Sequence, residues 1–246
     1  MTALGEPEAG LFDESLRRPP LSGEAAAAFE LASLLPSGIY YGAGVPRGAG
    51  RAVLVIPGFL GGDEYLRIMR GWLQRIGYDA HASGIIFNWG TPATLIAGLV
   101  RRVDQIAARR GGRLIVIGHS LGGIFARALL LQRPDCIAHA ICLGSPLQGD
   151  PRRAAHPFIG ELARVLVHER GGFEAGLEAS VLDPPLPDSV RLTSLYSRDD
   201  AVVDWRTCFD RDPNASGIEV HGTHCGLVWN AEVYRQVATL LAMTGA

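Results

Sequence analysis

Short apolar runs recur along this chain, each closed by glycine or proline and followed by a longer stretch with apolar residues at helical spacing. Ala52-Val53-Leu54-Val55-Ile56 stops at Pro57-Gly58, Leu114-Ile115-Val116-Ile117 stops at Gly118, and Ile137 to Leu143 stops at Gly144. Continuous runs rich in β-branched residues suit strands covered on both faces. The stretches between them read as helices. Asp63 to Ile76 carries Tyr65, Leu66, Met69, Trp72, Leu73 and Ile76 on one side, and Thr94 to Arg110 carries Leu95, Leu99, Val103 and Ile106. Leu121 to Leu131 is a third helix. Further strands are expected within Tyr78 to Phe87, over Val190 to Tyr196 and over Ile218 to His221, with a closing helix from Ala231 to Met243. Near the start, Ser22 is placed to cap a helix running to Leu35, and Tyr40-Tyr41 reads as a short edge strand.

Strands that alternate with helices of this length predict an α/β fold, a mostly parallel central sheet with helices on both faces. Residues 146–189 break the rhythm with several prolines and one amphipathic stretch from Phe158 to His168. They read as a small cap insertion within a single domain spanning 1–246, preceded by an N-terminal arm over 1–21.

Composition narrows the chemistry. All 23 basic residues are Arg, so a Lys Schiff base, a P-loop Lys and a Ser-Lys dyad are excluded. A net charge of −2 gives no basis for nucleic acid or an anionic membrane as partner. No stretch approaches the roughly 18 apolar residues of a spanning helix. Met1 to Gly10 lacks the basic start and apolar run of an export signal, so a cytoplasmic protein is the default expectation unless the chain is a trimmed form. None of the four cysteines forms a C-x-x-C pair, which argues against zinc and dithiol chemistry; no metal or organic cofactor is expected.

The chemistry-bearing motif is Gly118-His119-Ser120-Leu121-Gly122-Gly123. It follows a buried strand at once and opens a helix, the setting in which a strained turn lifts a serine hydroxyl clear of the sheet. The Leu121 N–H, at the helix start, is an expected donor to a developing oxyanion. Pro57-Gly58-Phe59-Leu60-Gly61-Gly62 follows the first buried strand and can aim a second N–H into the same place, from Phe59 by position, with Leu60 as runner-up. A serine nucleophile needs a histidine base, and the base needs a carboxylate. His224 lies in a loop after Gly222, where a side chain can reach back over the sheet; His221 is still at the strand end. Asp200 precedes the apolar Ala201-Val202-Val203 and is favoured as the acid over Asp199, a solvated turn residue, and Asp204, a helix cap. His119 is read as packing beside the pocket rather than as the base. Phe59, Trp89, Phe158, Leu162 and Trp205 are expected to line that pocket with it.

At this point the chain resembles the bacterial α/β-hydrolase lipases and esterases of compact proteobacterial type. The matching segments are VLVIPGF, GHSLGG, LGSPLQG, YSRDDAVVDW and VHGTHCGL, in that order. The resemblance implies the α/β-hydrolase fold and the order Ser120, Asp200, His224 for the catalytic residues. Two departures stand out: Pro57-Gly58 replaces the His-Gly pair of lipases, and Ser145-Pro146-Leu147 replaces a frequent Thr-Pro-His. Cys208 and Cys225 flank the acid and base loops, and a disulfide between them would pin one to the other.

The expected activity is hydrolysis of small carboxylic esters of short to medium acyl chain through an acyl-enzyme. An acyltransferase or perhydrolase, or an amidase or lactonase, would use the same residues. A non-catalytic binding protein on a hydrolase fold is the reading from another class. The sequence carries no signal for oligomeric state.

Overall fold

The computed structural model describes residues 19–149, 154–161 and 181–244. Among the described residues, six strands form one sheet: β1 (Ala52–Ile56), β2 (Asp79–Ala82), β3 (Leu114–His119), β4 (Ile137–Leu143), β5 (Arg191–Tyr196) and β6 (Ala215–Glu219). Their spatial order is β2-β1-β3-β4-β5-β6, and every neighbouring pair is parallel. Five α-helices lying wholly within the described residues accompany it: α1 (Ala27–Leu34), α2 (Arg67–Arg75), α3 (Pro92–Arg110), α4 (Leu121–Gln132) and α5 (Ala231–Met243).

Alternating side chains of the central strands feed two separate cores. Leu54, Ile56, Val116, Ala140 and Leu192 face α3 and α4, where Leu99, Val103, Phe125 and Leu129 are buried. Val53, Val55, Ile115, Ile117, Ile141 and Leu195 face α1, α2 and α5, where Leu34, Trp72, Leu73, Tyr234 and Val237 are buried. Burial on both faces is why β1, β3 and β4 read as unbroken apolar runs. In a parallel sheet the loops leaving the carboxyl ends gather at one edge, and the site is built there.

Four local expectations fail. Ser22 does not cap: the chain enters a 3₁₀ turn over Leu21–Ala26 behind Pro20, and neither that turn nor α1 has a side-chain cap. Tyr40-Tyr41 is not a strand but part of a 3₁₀ turn, Gly38–Tyr41, with the Ser37 hydroxyl accepting from the Tyr40 N–H and Arg75 stacked on the Tyr40 ring. The last strand begins at Ala215 rather than Ile218, because β6 is an edge strand held by backbone pairing to β5 and needs no apolar alternation. The second predicted helix starts at Arg67, four residues late, since Asp63 to Leu66 form turns that serve the site. Of the amphipathic stretch expected in the insertion, residues 157–161 are helical and 162–168 lie outside the described residues, as do 1–18 of the N-terminal arm.

The end of the insertion is tied down by a buried cation. Arg127 of α4 pairs with Asp210 at 2.5 Å and donates to the carbonyls of Val181 and Pro184; the two side chains are 2% and 5% exposed. Removing one partner of such a pair strands a charge in a dry environment. Arg127→Met is expected to lower the unfolding free energy by about 3–5 kcal/mol, and Arg127→Met with Asp210→Leu to recover part of it, as read from urea denaturation midpoints.

Candidate active site

β3 ends at His119 and α4 begins at Leu121, so Ser120 makes the whole turn between strand and helix. Its backbone is at φ 53° and ψ −123°, a conformation that costs a non-glycine residue about 1–3 kcal/mol. The turn is fixed on both sides: the Ser120 N–H donates to the Leu143 carbonyl at 2.8 Å, and its own carbonyl accepts from the Gly123 N–H at 2.9 Å. Close packing explains the neighbouring glycines. A Cβ on Gly122 would lie 2.5 Å from the Ile56 carbonyl oxygen and 2.7 Å from that of Pro57; one on Gly58 would lie 2.9 Å from the Ser120 Cβ. The β1 loop and the serine turn therefore touch backbone to backbone.

The β1 loop is zipped to the loop leaving β2. Leu60 donates to the Asn88 carbonyl (2.9 Å), Asn88 donates to the Gly61 carbonyl (2.8 Å), and the Asn88 side-chain amide donates to the Pro57 carbonyl (2.8 Å). The Asp63 carboxylate accepts from the Ser83 N–H, the Ser83 hydroxyl and the Gly84 N–H. Leu60 adopts φ 59° within this clasp. Its N–H is committed to Asn88, which leaves Phe59, partly buried against the α3–α4 core, as the better placed of the two expected donors.

Asp200 and His224 meet across the end of the sheet. Their side chains are nearly fully buried, and His224 Nδ1 lies 2.7 Å from Asp200 Oδ2. The other carboxylate oxygen accepts from the N–H groups of Val202 (2.8 Å) and Val203 (2.7 Å), which fixes its rotamer. Gly144 follows the strand-end residue that binds Ser120, and it adopts φ 54°. A Cβ there would sit 3.0 Å from Asp200 Oδ2 and 3.2 Å from His224 Nδ1. Ser120, Asp200 and His224 are thus gathered around the carboxyl ends of β3, β4 and β5. The rejected residues stand elsewhere: Asp199 is exposed, Asp204 caps the 3₁₀ turn Trp205–Thr207, and exposed His221 faces Glu232.

His119 lies between Tyr65 and His224. Its Nε2 is 2.9 Å from the His224 carbonyl, which only accepts, so Nε2 carries the proton and Nδ1 receives the Tyr65 hydroxyl at 2.5 Å. The two imidazoles are 4.7 Å apart, centroid to centroid. Burial, and then the neighbouring His224 charge, pull the His119 pKa down to about 3. His224 goes the other way. Burial lowers its pKa, but the Asp200 carboxylate, the hydrogen bond to it and the Glu24 carboxylate outweigh that, and the net shift is upward. Two adjacent histidines are thereby assigned opposite charge behaviour.

The expected pocket residues fare unevenly. Trp89 is half-buried against Phe87, and Phe158 is 64% exposed rather than forming a pocket floor. Leu162 lies outside the described residues. Trp205 belongs instead to an aromatic cluster with Tyr196 and Phe209, with Arg198 stacked on it, covering the β5–β6 edge. The disulfide is not formed. Cys208 and Cys225 are free thiols, the first buried with its sulfur toward the Asp204 carbonyl, the second exposed beside Glu24. Sequence reasoning missed Tyr65, Asn88, Glu24 and Glu30. Glu30 accepts from the Thr223 N–H and hydroxyl and from the Asn230 amide, and so pins the start of the His224 loop. No helix among the described residues is long and apolar enough to cross a membrane, and no group of three or more His, Cys, Asp and Glu among them could hold a metal ion.

Residues 93–168, less than half of the chain, match a family model described as a PGAP1-like alpha/beta domain. That segment carries α3, β3, the serine turn, α4 and β4. No curated protein matches the chain in sequence. Among solved structures, the mature lipase BlEst2 of Bacillus licheniformis is 18% identical, with a TM-score of 0.61 over 80% of this chain and 94% of that one. A monoacylglycerol lipase of Paleococcus ferrophilus is 16% identical, with a TM-score of 0.55 over 82% of this chain and 97% of that one. A metagenomic carboxyl esterase is 15% identical, with a TM-score of 0.56 over 80% and 76%. At these identities the likeness is one of fold, and the fold is that of the α/β-hydrolases.

The opposed histidines give a direct test. In a ¹⁵N-detected imidazole titration, His119 is expected to stay neutral down to about pH 3, while His224 titrates above the ordinary imidazole value of about 6.5. A His119 signal that titrates near neutrality would contradict the hydrogen-bond assignment.

Proposed function

We propose that the protein is a serine hydrolase of small carboxylic esters, with Ser120 as nucleophile, His224 as general base and Asp200 as its orienting carboxylate. The observation that carries this reading is the conjunction of a serine at positive φ between strand and helix with a buried His–Asp pair at the same sheet edge. A fold paying for that backbone conformation and for a buried carboxylate holds both for chemistry more readily than for packing.

In the proposed cycle Ser120 Oγ attacks the ester carbonyl while His224 Nε2 takes its proton. Asp200 keeps the Nδ1–H tautomer and stabilises the imidazolium. The Leu121 and Phe59 N–H groups hold the oxyanion, which the glycine contacts between the two loops bring close to the serine. Water activated by His224 then releases the acid. His119 stays neutral throughout, so the imidazolium forms beside an uncharged ring.

Lipase and esterase names among the structural neighbours favour an ester substrate over an amide. The same residues would serve transfer to an alcohol or peroxide, and product analysis with an added acceptor separates those activities from hydrolysis.

The first measurement is labelling by a fluorophosphonate probe. The parent is expected to label and Ser120→Ala not to; a folded parent that fails to label would move the non-catalytic reading to the front. Asp200→Asn should lower kcat by about 10⁴-fold. Because catalysis needs neutral His224 and its pKa is raised, kcat/KM should rise with pH through an inflection above about 6.5. Nitrophenyl esters of short to medium chain should be turned over faster than long-chain ones.

A further inference from the structure

Glu24 sits in the 3₁₀ turn Leu21–Ala26, in a segment with no buried residue, yet its carboxylate bridges both catalytic loops. One oxygen accepts from the Ala201 N–H at 3.1 Å and from the His224 N–H at 3.0 Å; the other accepts from the Cys225 N–H at 2.9 Å. Ala201 follows Asp200 directly, and His224 is the base itself. One side chain therefore spaces the backbone of the acid loop from that of the base loop, over sequence separations of 177 and 200 residues.

We propose that Glu24 is a positioning residue for the catalytic pair, setting the distance and angle at which His224 meets Asp200 and faces Ser120. This rests on the serine hydrolase reading. Apart from the Asp200–His224 bond itself, the constraints described above act on each loop separately. Val202 and Val203 fix the Asp200 carboxylate, and Glu30 fixes Thr223. His119 holds the His224 carbonyl, one peptide from the N–H that Glu24 holds. Glu24 is the carboxylate shared by both loops. Without it three N–H groups lose their acceptor, and the base loop is free to shift relative to the acid. Misplacement on the scale of 1 Å can cost about a hundredfold in rate. The effect belongs in kcat, since Glu24 meets the base through its backbone and not through the ester.

The test uses the full chain and three readouts: kcat and KM with a nitrophenyl ester, the second-order rate of fluorophosphonate labelling, and the far-downfield NMR signal of the His224 Nδ1 proton shared with Asp200. In Glu24→Ala that remains folded by circular dichroism, kcat and the labelling rate should fall together by about tenfold to a hundredfold, with KM within about twofold and the downfield proton shifted or lost. Glu24→Gln keeps an oxygen for Ala201 and His224 but turns an amide toward Cys225, so it should recover most of the rate. Labelling and a downfield proton in Glu24→Ala identical to the parent's would overturn the proposal. If Glu24→Ala does not fold, Glu24→Gln and Glu24→Asp decide. The glutamine should outperform the aspartate, which is one methylene too short to span both loops; equal rates in both and the parent would overturn it. A parent that never labels would overturn the hydrolase reading instead, and the downfield proton would still report whether Glu24 sets the His–Asp geometry.

Discussion

The structure at this sheet edge depends on one strained residue. Ser120 stands at φ 53° because β3 must turn into α4 within a single residue. Every tight contact nearby follows from that turn. Gly122 can carry no side chain because it lies against the Ile56 and Pro57 carbonyls, and Gly58 none because it lies against Ser120 itself. The energy stored there is offset by a stiff surround: two buried cores, one on each face of an all-parallel sheet, and a β1 loop stitched to the β2 loop through Asn88 and Asp63. A looser frame would let the serine relax into an ordinary helical cap.

A second principle governs the ionisable groups. Two imidazoles, 4.7 Å apart and both buried, are kept from competing for the same proton by what each can reach. His119 meets a carbonyl and a hydroxyl, neutral groups that satisfy a neutral ring. His224 meets a carboxylate, which rewards the charged form. Burial alone would depress both; geometry separates them.

Much of the fold was legible in the sequence, and for a physical reason. β1, β3 and β4 are covered on both sides, so they are written mostly in apolar residues, and the glycines that end them are forced by close approach. That Ser120, Asp200 and His224 stand beyond strand ends at one edge of the sheet was legible too, because each lies beside turn residues. What escaped notice was held by relations that leave no local trace. β6 is stabilised by backbone pairing, so its composition of Ala215, Ser216 and Gly217 gives no strand signal. Tyr40 and Tyr41 have strand propensity, but Ser37 and Arg75 decide their conformation. Tyr65 passed as one more apolar position on a helix. Trp205 passed as a pocket residue because it is near Asp200 in sequence, while in space it stacks outward on Tyr196. Glu24 and Glu30 leave no local signal, because their partners lie 200 and 193 residues away.

That last relation bears on how the molecule is made. A ribosome delivers residue 24 long before residues 201 to 225, so the clasp of Glu24 on Ala201 and His224 can form only after a further 177 and 200 residues have been made. Loop-closure entropy grows with sequence separation, and topologies rich in such non-local pairings fold more slowly. A nascent chain with β1 to β4 already paired would hold its serine turn in place and still have no His224 beside it. On the proposed reading, Ser120 would meet its base only once the residues around Asp200 and His224 have joined the sheet, an order that follows from chain connectivity alone.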